Sequence, residues 1–208
     1  DLHSFPTRRS SDLEIDVVRD YSGQFINCYQ KLIDPKFEMK DEEITSFDFS
    51  ECFPFNSKTE YNDFKYSDAA FELHARAEMT DNRLQGVLSD WTENILTNLD
   101  VDEDPEVFYF SPFELGITIQ STLSFLAAHG VRAREYYFPV NSMSIYDKCD
   151  ILITANPNLI ENCPEDKTVI RIERPYNKDV ETKYSFKNLF EAIKDEDELL
   201  IKMIENKL

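Results

Sequence analysis

The stretch Asp150-Ile151-Leu152-Ile153-Thr154-Ala155-Asn156-Pro157 decides the fold of this chain. Residues 151–153 form a short apolar run and Asn156-Pro157 stops it, which is typical of a buried parallel strand that ends in a loop. In open α/β sheets, ligands bind just beyond the carboxyl ends of such strands. Chemistry is therefore expected at Thr154 and Ala155, although neither side chain is a good ligand for a divalent metal.

Short apolar runs alternate with helical patterns on both sides of this stretch. Strands are predicted at residues 15–18, 107–110, 136–140, 151–153 and 169–172. Helices are predicted at residues 25–33 with Ser22 as the cap, at 84–99, at 115–129 with Gly130 as the stop, at 186–193 and at 198–206. Strands that alternate with helices indicate parallel βαβ units. The predicted class is α/β, a Rossmann-like parallel sheet flanked by helices.

Residues 35–83 break this alternation, since they are rich in aromatic residues but irregular in pattern. One interpretation is a small, mostly helical insertion that packs over one end of the sheet as a cap. The other is that the segment belongs to one larger core. On the first interpretation the core comprises residues 14–34 and 84–208.

The first residues have a different character. The run from His3 to Asp12 resembles one reading frame of a common sequencing adapter. The alternative, a basic targeting peptide, lacks the apolar core that would have to follow Arg8-Arg9. Residues 1–13 are therefore expected to be non-native and to lie outside the fold.

Composition excludes several classes of protein. The 208 residues include 41 acidic and 22 basic ones, a formal net charge of −19. Such a chain would repel nucleic acid, whose binding depends on Lys and Arg at the phosphates, and its charge is typical of a solvated surface. The 4 glycines stand far apart, so no P-loop or dinucleotide fingerprint is present.

The cysteines and the apolar runs argue against a zinc site and a membrane span, and they bear on the cellular location. The 4 cysteines form no Cys-x-x-Cys pair and there are only 3 histidines, which argues against a structural zinc site. No run approaches the ~18 consecutive apolar residues of a membrane span. No signal peptide is recognisable, so a reducing cytoplasm is the expected location and no membrane partner is expected.

Four segments together resemble the haloacid dehalogenase superfamily, in particular its 5′(3′)-deoxyribonucleotidase branch. They are the first predicted strand running into Val17-Val18-Arg19-Asp20-Tyr21-Ser22-Gly23-Gln24-Phe25, the segment Glu43-Ile44-Thr45-Ser46-Phe47-Asp48-Phe49, the strand end Phe108-Tyr109-Phe110-Ser111, and Tyr146-Asp147-Lys148-Cys149-Asp150-Ile151-Leu152-Ile153 with Ile170-Arg171-Ile172-Glu173-Arg174-Pro175-Tyr176-Asn177 after it. The resemblance covers almost everything from Ile15 to Asn177. It implies hydrolysis of phosphate monoesters of nucleosides, with Mg²⁺ as the cofactor.

The first motif of that family is Asp-x-Asp-Gly-Val, in which an aspartate attacks phosphorus and a second aspartate is the general acid and base. Counted back from Val17 without a gap, the nucleophile falls at Leu13. With one gap, Glu14 and Asp16 stand in its place, and Glu is one methylene too long. Asp16 is thus the candidate catalytic residue and a candidate metal ligand.

Of the family's other three motifs, this sequence matches only the second. Ser111 matches the hydroxyl that binds phosphate, although a strand-end residue beside Pro112 explains it equally well. No cation stands in Asn141-Ser142-Met143-Ser144, where the resemblance requires a Lys, and Thr154-Ala155 replaces the acidic pair that holds Mg²⁺. Asp150 is the nearest acidic residue that could supply a displaced metal ligand.

Three functions are compatible with this pattern. The first is a nucleotidase-like protein that no longer hydrolyses phosphate esters and is retained to bind a nucleoside monophosphate, another small phosphate or a protein. The second is a working phosphatase with displaced ligands from Asp147, Asp150 and Asn156. The third is an interaction module whose contact surface is the aromatic segment 47–66.

Overall fold

The computed structural model describes residues 10–90, 106–112, 114–132 and 135–194. The strands are β1 (Ser10–Glu14), β2 (Glu106–Phe110), β3 (Glu135–Tyr137), β4 (Ile151–Thr154), β5 (Thr168–Ile172) and β6 (Tyr184–Phe186). The α-helices are α1 (Ile15–Val18), α2 (Tyr21–Leu32), α3 (Lys58–Asp63), α4 (Ala70–Ala75), α5 (Ile117–Ala128), α6 (Pro157–Glu161) and α7 (Leu189–Lys194). Short 3-10 turns connect them, a π-helical segment follows α3 and residues 87–90 are also helical.

All six strands pair in parallel, in the order β3-β2-β1-β4-β5-β6. Both faces of this sheet are covered, as a parallel sheet requires. Leu13, Ile153 and Ile170 belong to an apolar cluster on one face, and Phe110 and Leu152 belong to another on the opposite face. The predicted α/β class with a Rossmann-like parallel sheet is confirmed.

The first strand is the main correction. Residues 15–18 were predicted to be a strand because three of the four are β-branched, but they form α1, and the strand is Ser10–Glu14. The exclusion of residues 1–13 from the fold was therefore wrong for residues 10–13. This strand lies between β2 and β4, so its neighbours fix an extended backbone that its own sequence does not favour. The adapter origin of the segment stays a prediction.

Several boundaries also shifted. The cap of α2 is Asp20, whose side chain accepts from Gly23 N at 3.0 Å, and not Ser22. Gly130 follows α5 with a positive φ of 68°, as predicted for a helix stop. Strand β6 was not predicted at all. Residues 91–99 of the helix predicted at 84–99 and the helix predicted at 198–206 lie outside the described residues.

A third apolar cluster lies in and around the segment predicted as a cap. Phe25, Ile44, Phe53, Phe64 and Leu73 are all buried in it. The rings of Phe25 and Phe53 are 4.6 Å apart, close enough for a favourable aromatic pair. Tyr176 packs against both this cluster and the one beside the sheet, and so connects them. The boundaries 35 and 83 of the insertion stay a prediction.

Candidate functional site

A cavity of about 340 Å³ lies beyond the carboxyl ends of β1 and β2. Parallel strands bring their carboxyl ends to one edge of the sheet, which is where ligands bind in open α/β folds. Its walls come from β1 and the turn after it, from α2, from the segment 41–80, from the loop after β2 and from residues 174–188. The side chains used below are those of Glu14, Asp16, Arg19, Asp20, Tyr21, Asp41, Lys65, His74, Ser111, Glu114, Arg174 and Tyr176.

Glu14 ends β1 at the edge of this cavity and is 2% exposed. Its Oε2 accepts from Thr154 Oγ1 at 2.5 Å and from Ala155 N at 3.0 Å. Burial, together with the charge of Asp16, raises the pKa of Glu14 to about 7. The acid at this strand end is therefore partly protonated at neutral pH, which makes it a weak nucleophile.

The two alignments of the first motif, without a gap at Leu13 and with one gap at Glu14 and Asp16, place different side chains at the cavity. Leu13 is fully buried in the apolar cluster beside the sheet, whereas Glu14 and Asp16 both line the cavity. The alignment with one gap therefore brings two carboxyl groups to the cavity, and the alignment without a gap brings none.

Asp16, the candidate catalytic residue, is held by a buried cation. Arg19 is 1% exposed and donates to Asp16 Oδ1 from Nε at 2.9 Å and from Nη2 at 2.5 Å. Both donors contact the same carboxylate oxygen, and the two charges form an ion pair.

The same arginine belongs to a larger buried network. Arg19 Nη2 lies 3.2 Å from Glu114 Oε1, and Nη1 donates to Thr122 Oγ1 at 2.6 Å. Glu114 Oε1 also accepts from Ser111 Oγ at 2.8 Å and from Thr122 Oγ1 at 2.7 Å, and it lies 3.3 Å from His74 Nδ1. The network thus joins the turn after β1, α4, the loop after β2 and α5.

The protonation states in this network follow from burial and charge. Although burial alone would raise it, the hydrogen bond with His74 and the charge of Arg19 hold the pKa of Glu114 at about 2. Burial, together with the positive charge of Arg19, lowers the pKa of His74. At neutral pH Glu114 is therefore ionised and His74 is neutral.

Ser111, the candidate phosphate ligand, lies at the cavity but its hydroxyl is committed to Glu114. The loop 141–144 supplies no cation, and Lys148 Nζ lies 5.0 Å from the ring of Tyr137 and does not line the cavity. The cations that do line it are Arg19, Lys65 and Arg174. None of them occupies the position predicted for the family's lysine.

Asp150 does not join the site. It precedes β4 at the opposite edge of the sheet, and its Oδ1 accepts from Lys167 Nζ at 3.0 Å. Asn156 Oδ1 accepts from Asn158 N at 3.0 Å and so caps α6. The two metal ligands predicted from the sequence, Asp16 and Asp150, are therefore not brought together.

The residues at the strand ends do not fit Mg²⁺. Thr154 and Ala155 lie beside Glu14, and both donate a hydrogen bond to Glu14 Oε2. Asp16 is paired with Arg19. Within the described ranges, no group of three or more His, Cys, Asp or Glu side chains is close enough to hold a metal ion. Mg²⁺ requires several oxygen ligands in octahedral geometry, and this arrangement does not offer them.

Sequence reasoning missed Arg19, His74 and Glu114. No local signal marks Arg19 as buried, because arginine is mostly exposed in folded proteins. His74 and Glu114 come from distant segments, and no local pattern connects them.

The comparisons with known proteins bear on the fold alone. No protein-family model matches the chain, and no curated protein matches its sequence. A solved structure of a haloacid dehalogenase-like hydrolase from Burkholderia xenovorans LB400 is similar to it, with a TM-score of 0.58 and 9% identity. The match covers 94% of this chain and 99% of that one. The chain therefore has a haloacid dehalogenase-like fold.

Within its described ranges, no helix combines the length and apolar character needed to cross a membrane.

Proposed function

We propose that this protein binds a small molecule in the cavity beside β1 and does not hydrolyse phosphate monoesters. The observation that carries the proposal is the state of the two carboxyl groups at the first motif. Glu14 is buried, hydrogen-bonded to Thr154 and Ala155 and partly protonated, and Asp16 forms an ion pair with Arg19. A nucleophile for phosphoryl transfer must instead be ionised and close to a metal ion.

The cavity itself supports the binding part of the proposal. Its volume of about 340 Å³ lies within the range of small-molecule sites, and its wall combines aromatic rings with a few buried polar groups. The resemblance to nucleotidases suggests a nucleoside monophosphate or another small phosphate as the ligand, which stays a hypothesis to be tested.

A phosphatase with displaced ligands is the second candidate, and the geometry argues against it. Asp150 is paired with Lys167 at the opposite edge of the sheet, and Asn156 caps a helix. Asp147 is exposed and does not line the cavity. Titration of the protein with Mg²⁺ by calorimetry is expected to give no heat of binding.

An interaction module built on segment 47–66 is the third candidate. Four of its seven aromatic residues, Phe49, Phe53, Tyr61 and Phe64, are each 6% exposed or less, and the other three are half-buried. Side chains packed inside the protein cannot form a contact surface, so this reading loses its main support.

The deciding experiment is an assay of phosphate release from deoxyadenosine monophosphate and p-nitrophenyl phosphate with Mg²⁺. No release above the protein-free background is expected, because Glu14 is partly protonated at neutral pH and the described residues do not converge into a metal site. Mg²⁺-dependent turnover by the parent chain that disappears in Asp16→Asn would refute the proposal.

A further inference from the structure

Helix α5 carries no charged side chain, although one of its faces is exposed to solvent. Its sequence is ITIQSTLSFLAA, whereas 30% of the residues in the whole chain are charged. A surface helix normally places charged and polar residues on its solvent face. The composition of α5 is therefore unusual for a surface helix of so acidic a protein.

The outer face of α5 has apolar side chains at positions where a surface helix would have polar ones. Ile117 and Leu123 are 48% and 38% exposed, and the small residues Ala127 and Ala128 are also exposed. The hydroxyl group of Thr122 lies instead on the buried face, in the polar network described above. Large apolar side chains in water are a source of binding free energy for any surface that covers them.

Ile117, Gln120 and Leu123 form one exposed row along α5, because residues three apart lie on the same ridge of a helix. The row has the same chemical character from either end, since an amide stands between two large aliphatic side chains. Antiparallel packing of two copies about a two-fold axis at Gln120 would set Ile117 of each copy against Leu123 of the other. The two Gln120 amides would meet at the axis, where each can donate and accept a hydrogen bond. The row is thus complementary to itself, as a two-fold contact requires.

The net charge of the chain limits where two copies can meet. At a formal charge of −19, one copy repels another over most approaches. Like charges placed opposite each other at an interface cost several kcal/mol, and a row without ionised groups avoids this cost. Phe71 on α4, which packs against α5, is 46% exposed and adds apolar surface on the neighbouring helix.

We propose that the outer face of α5 is a self-association surface, on which a second copy of this chain packs antiparallel across a two-fold axis at Gln120. A helix of twelve residues is about 18 Å long, so the contact is small beside the roughly 1,600 Å² of a standard interface. The dimer therefore belongs to the weak class and forms at high protein concentration. The inference goes beyond ligand binding, because the row and the cavity are different parts of the surface.

Sedimentation equilibrium of the full chain, from about 1 μM to about 1 mM, tests this surface. The average mass is expected to rise from that of one chain to that of two. Raising NaCl from about 0.1 M to about 1 M should strengthen the dimer, because salt screens the repulsion between acidic copies while the apolar contact remains. An interface held by ion pairs would respond in the opposite direction.

Two variants at the axis test the geometry. Gln120→Glu and Gln120→Lys each place like charges opposite each other across the two-fold axis, so each is expected to weaken the dimer at least roughly tenfold. An equal mixture of the two variants should restore association, since one carboxylate then faces one ammonium group. Both substitutions lie at an exposed position, and thermal unfolding confirms that each variant is folded.

Val140→Lys is the matched control, because Val140 is an apolar residue that is 87% exposed and lies outside α5. It adds the same charge as Gln120→Lys and is expected to leave dimerisation unchanged. An equal loss in both lysine variants would show that α5 is not the contact surface.

Three other results would overturn the proposal. A single-chain mass at every concentration would exclude a second copy as the occupant and leave this face to a different protein. A dimer that persists in both Gln120 variants would place the interface elsewhere. Loss in both variants without recovery in the mixture would contradict a two-fold axis at Gln120.

Discussion

At the scale of single residues, Glu14 combines burial with a proton that it can release near neutral pH. Its carboxyl group is enclosed at the end of β1 and holds two hydrogen bonds, to Thr154 and to the backbone of Ala155. Burial raises its pKa from 4.5 to about 7. The ionised form is therefore less stable in the folded protein than in the unfolded chain.

The Glu14 pKa predicts how stability changes with pH. Between pH 4.5 and about 7 the folded protein binds more protons at this site than the unfolded chain. The free energy of unfolding should therefore fall as pH rises through this window, by roughly 3 kcal/mol in total. Glu14→Gln keeps the hydrogen-bond acceptor without the titration, and its urea unfolding at several pH values should lack this decrease. Parallel pH profiles of the two proteins would contradict the predicted pKa.

Arg19 is the other residue with a large energetic role, because it is a fully buried cation between Asp16 and Glu114. Removing one partner of a buried ion pair leaves the others uncompensated, which costs about 3–5 kcal/mol. Arg19→Met is expected to lower the free energy of unfolding by this amount in urea titrations. A loss below about 1 kcal/mol would show that the network is open to solvent.

The matched control is the double variant Arg19→Met with Glu114→Gln. If the cost arises from an unpaired Glu114 charge, the double variant should recover part of the stability lost in the single one. Strict additivity of the two changes would mean that the two side chains do not interact.

At the scale of secondary-structure elements, β1 is the strand on which the sheet depends. It pairs with β2 on one side and with β4 on the other. Its Leu13 side chain is fully buried in the cluster that covers one face of the sheet. The same strand carries Glu14 to the cavity, so packing and site geometry share one element.

Leu13→Ala should therefore be strongly destabilising. Truncating a buried leucine costs about 2–5 kcal/mol, since a cavity remains in place of the removed atoms. Leu115→Ala is the control, because Leu115 is 62% exposed and the same truncation there should cost less than about 0.5 kcal/mol. Chemical denaturation of both variants checks the difference. Equal losses would mean that β1 does not have this central position in the folded protein.

Sequence patterns predicted the strands whose own residues are apolar or β-branched. β4 is buried on both faces, and its apolar run Ile151–Ile153 predicts such a strand directly, whereas β5 has Arg171 between Ile170 and Ile172 and is still recognisable from its β-branched residues. β1 has the sequence SSDLE, which is poor in strand-forming residues, whereas the β-branched run after it is a helical turn. Here the two neighbouring strands decide the conformation, and no window of sequence contains that information.

The site was predictable to a similar extent. Asp16 and Ser111 were found because each matches a motif position of the family that the sequence resembles, and both line the cavity. Arg19, His74 and Glu114 converge from three separate segments only after folding. Their mutual contacts depend on the packing of α4 against α5, which a single sequence does not show.

At the scale of the whole molecule, the excess of acidic residues is a source of self-repulsion. A formal net charge of −19 on 208 residues favours expanded states over compact ones. Raising NaCl from about 0.01 M to about 1 M shortens the Debye length from ~30 Å to ~3 Å. The midpoint of thermal unfolding should therefore rise with salt. Added sucrose at equal osmolarity is the uncharged control, and a midpoint that falls with salt would contradict this expectation.

The position of β1 in the sheet has a consequence for the growing polypeptide on the ribosome. Glu14 and its partner Thr154 are 140 residues apart in sequence, so the middle of the sheet cannot close until most of the chain has been synthesised. At about 5–20 residues per second, the first strand waits many seconds for its second neighbour. During that time it has an unpaired edge that could pair with another nascent chain. Contacts at such separation also slow folding, so refolding from denaturant should be slower than for helical domains of this size.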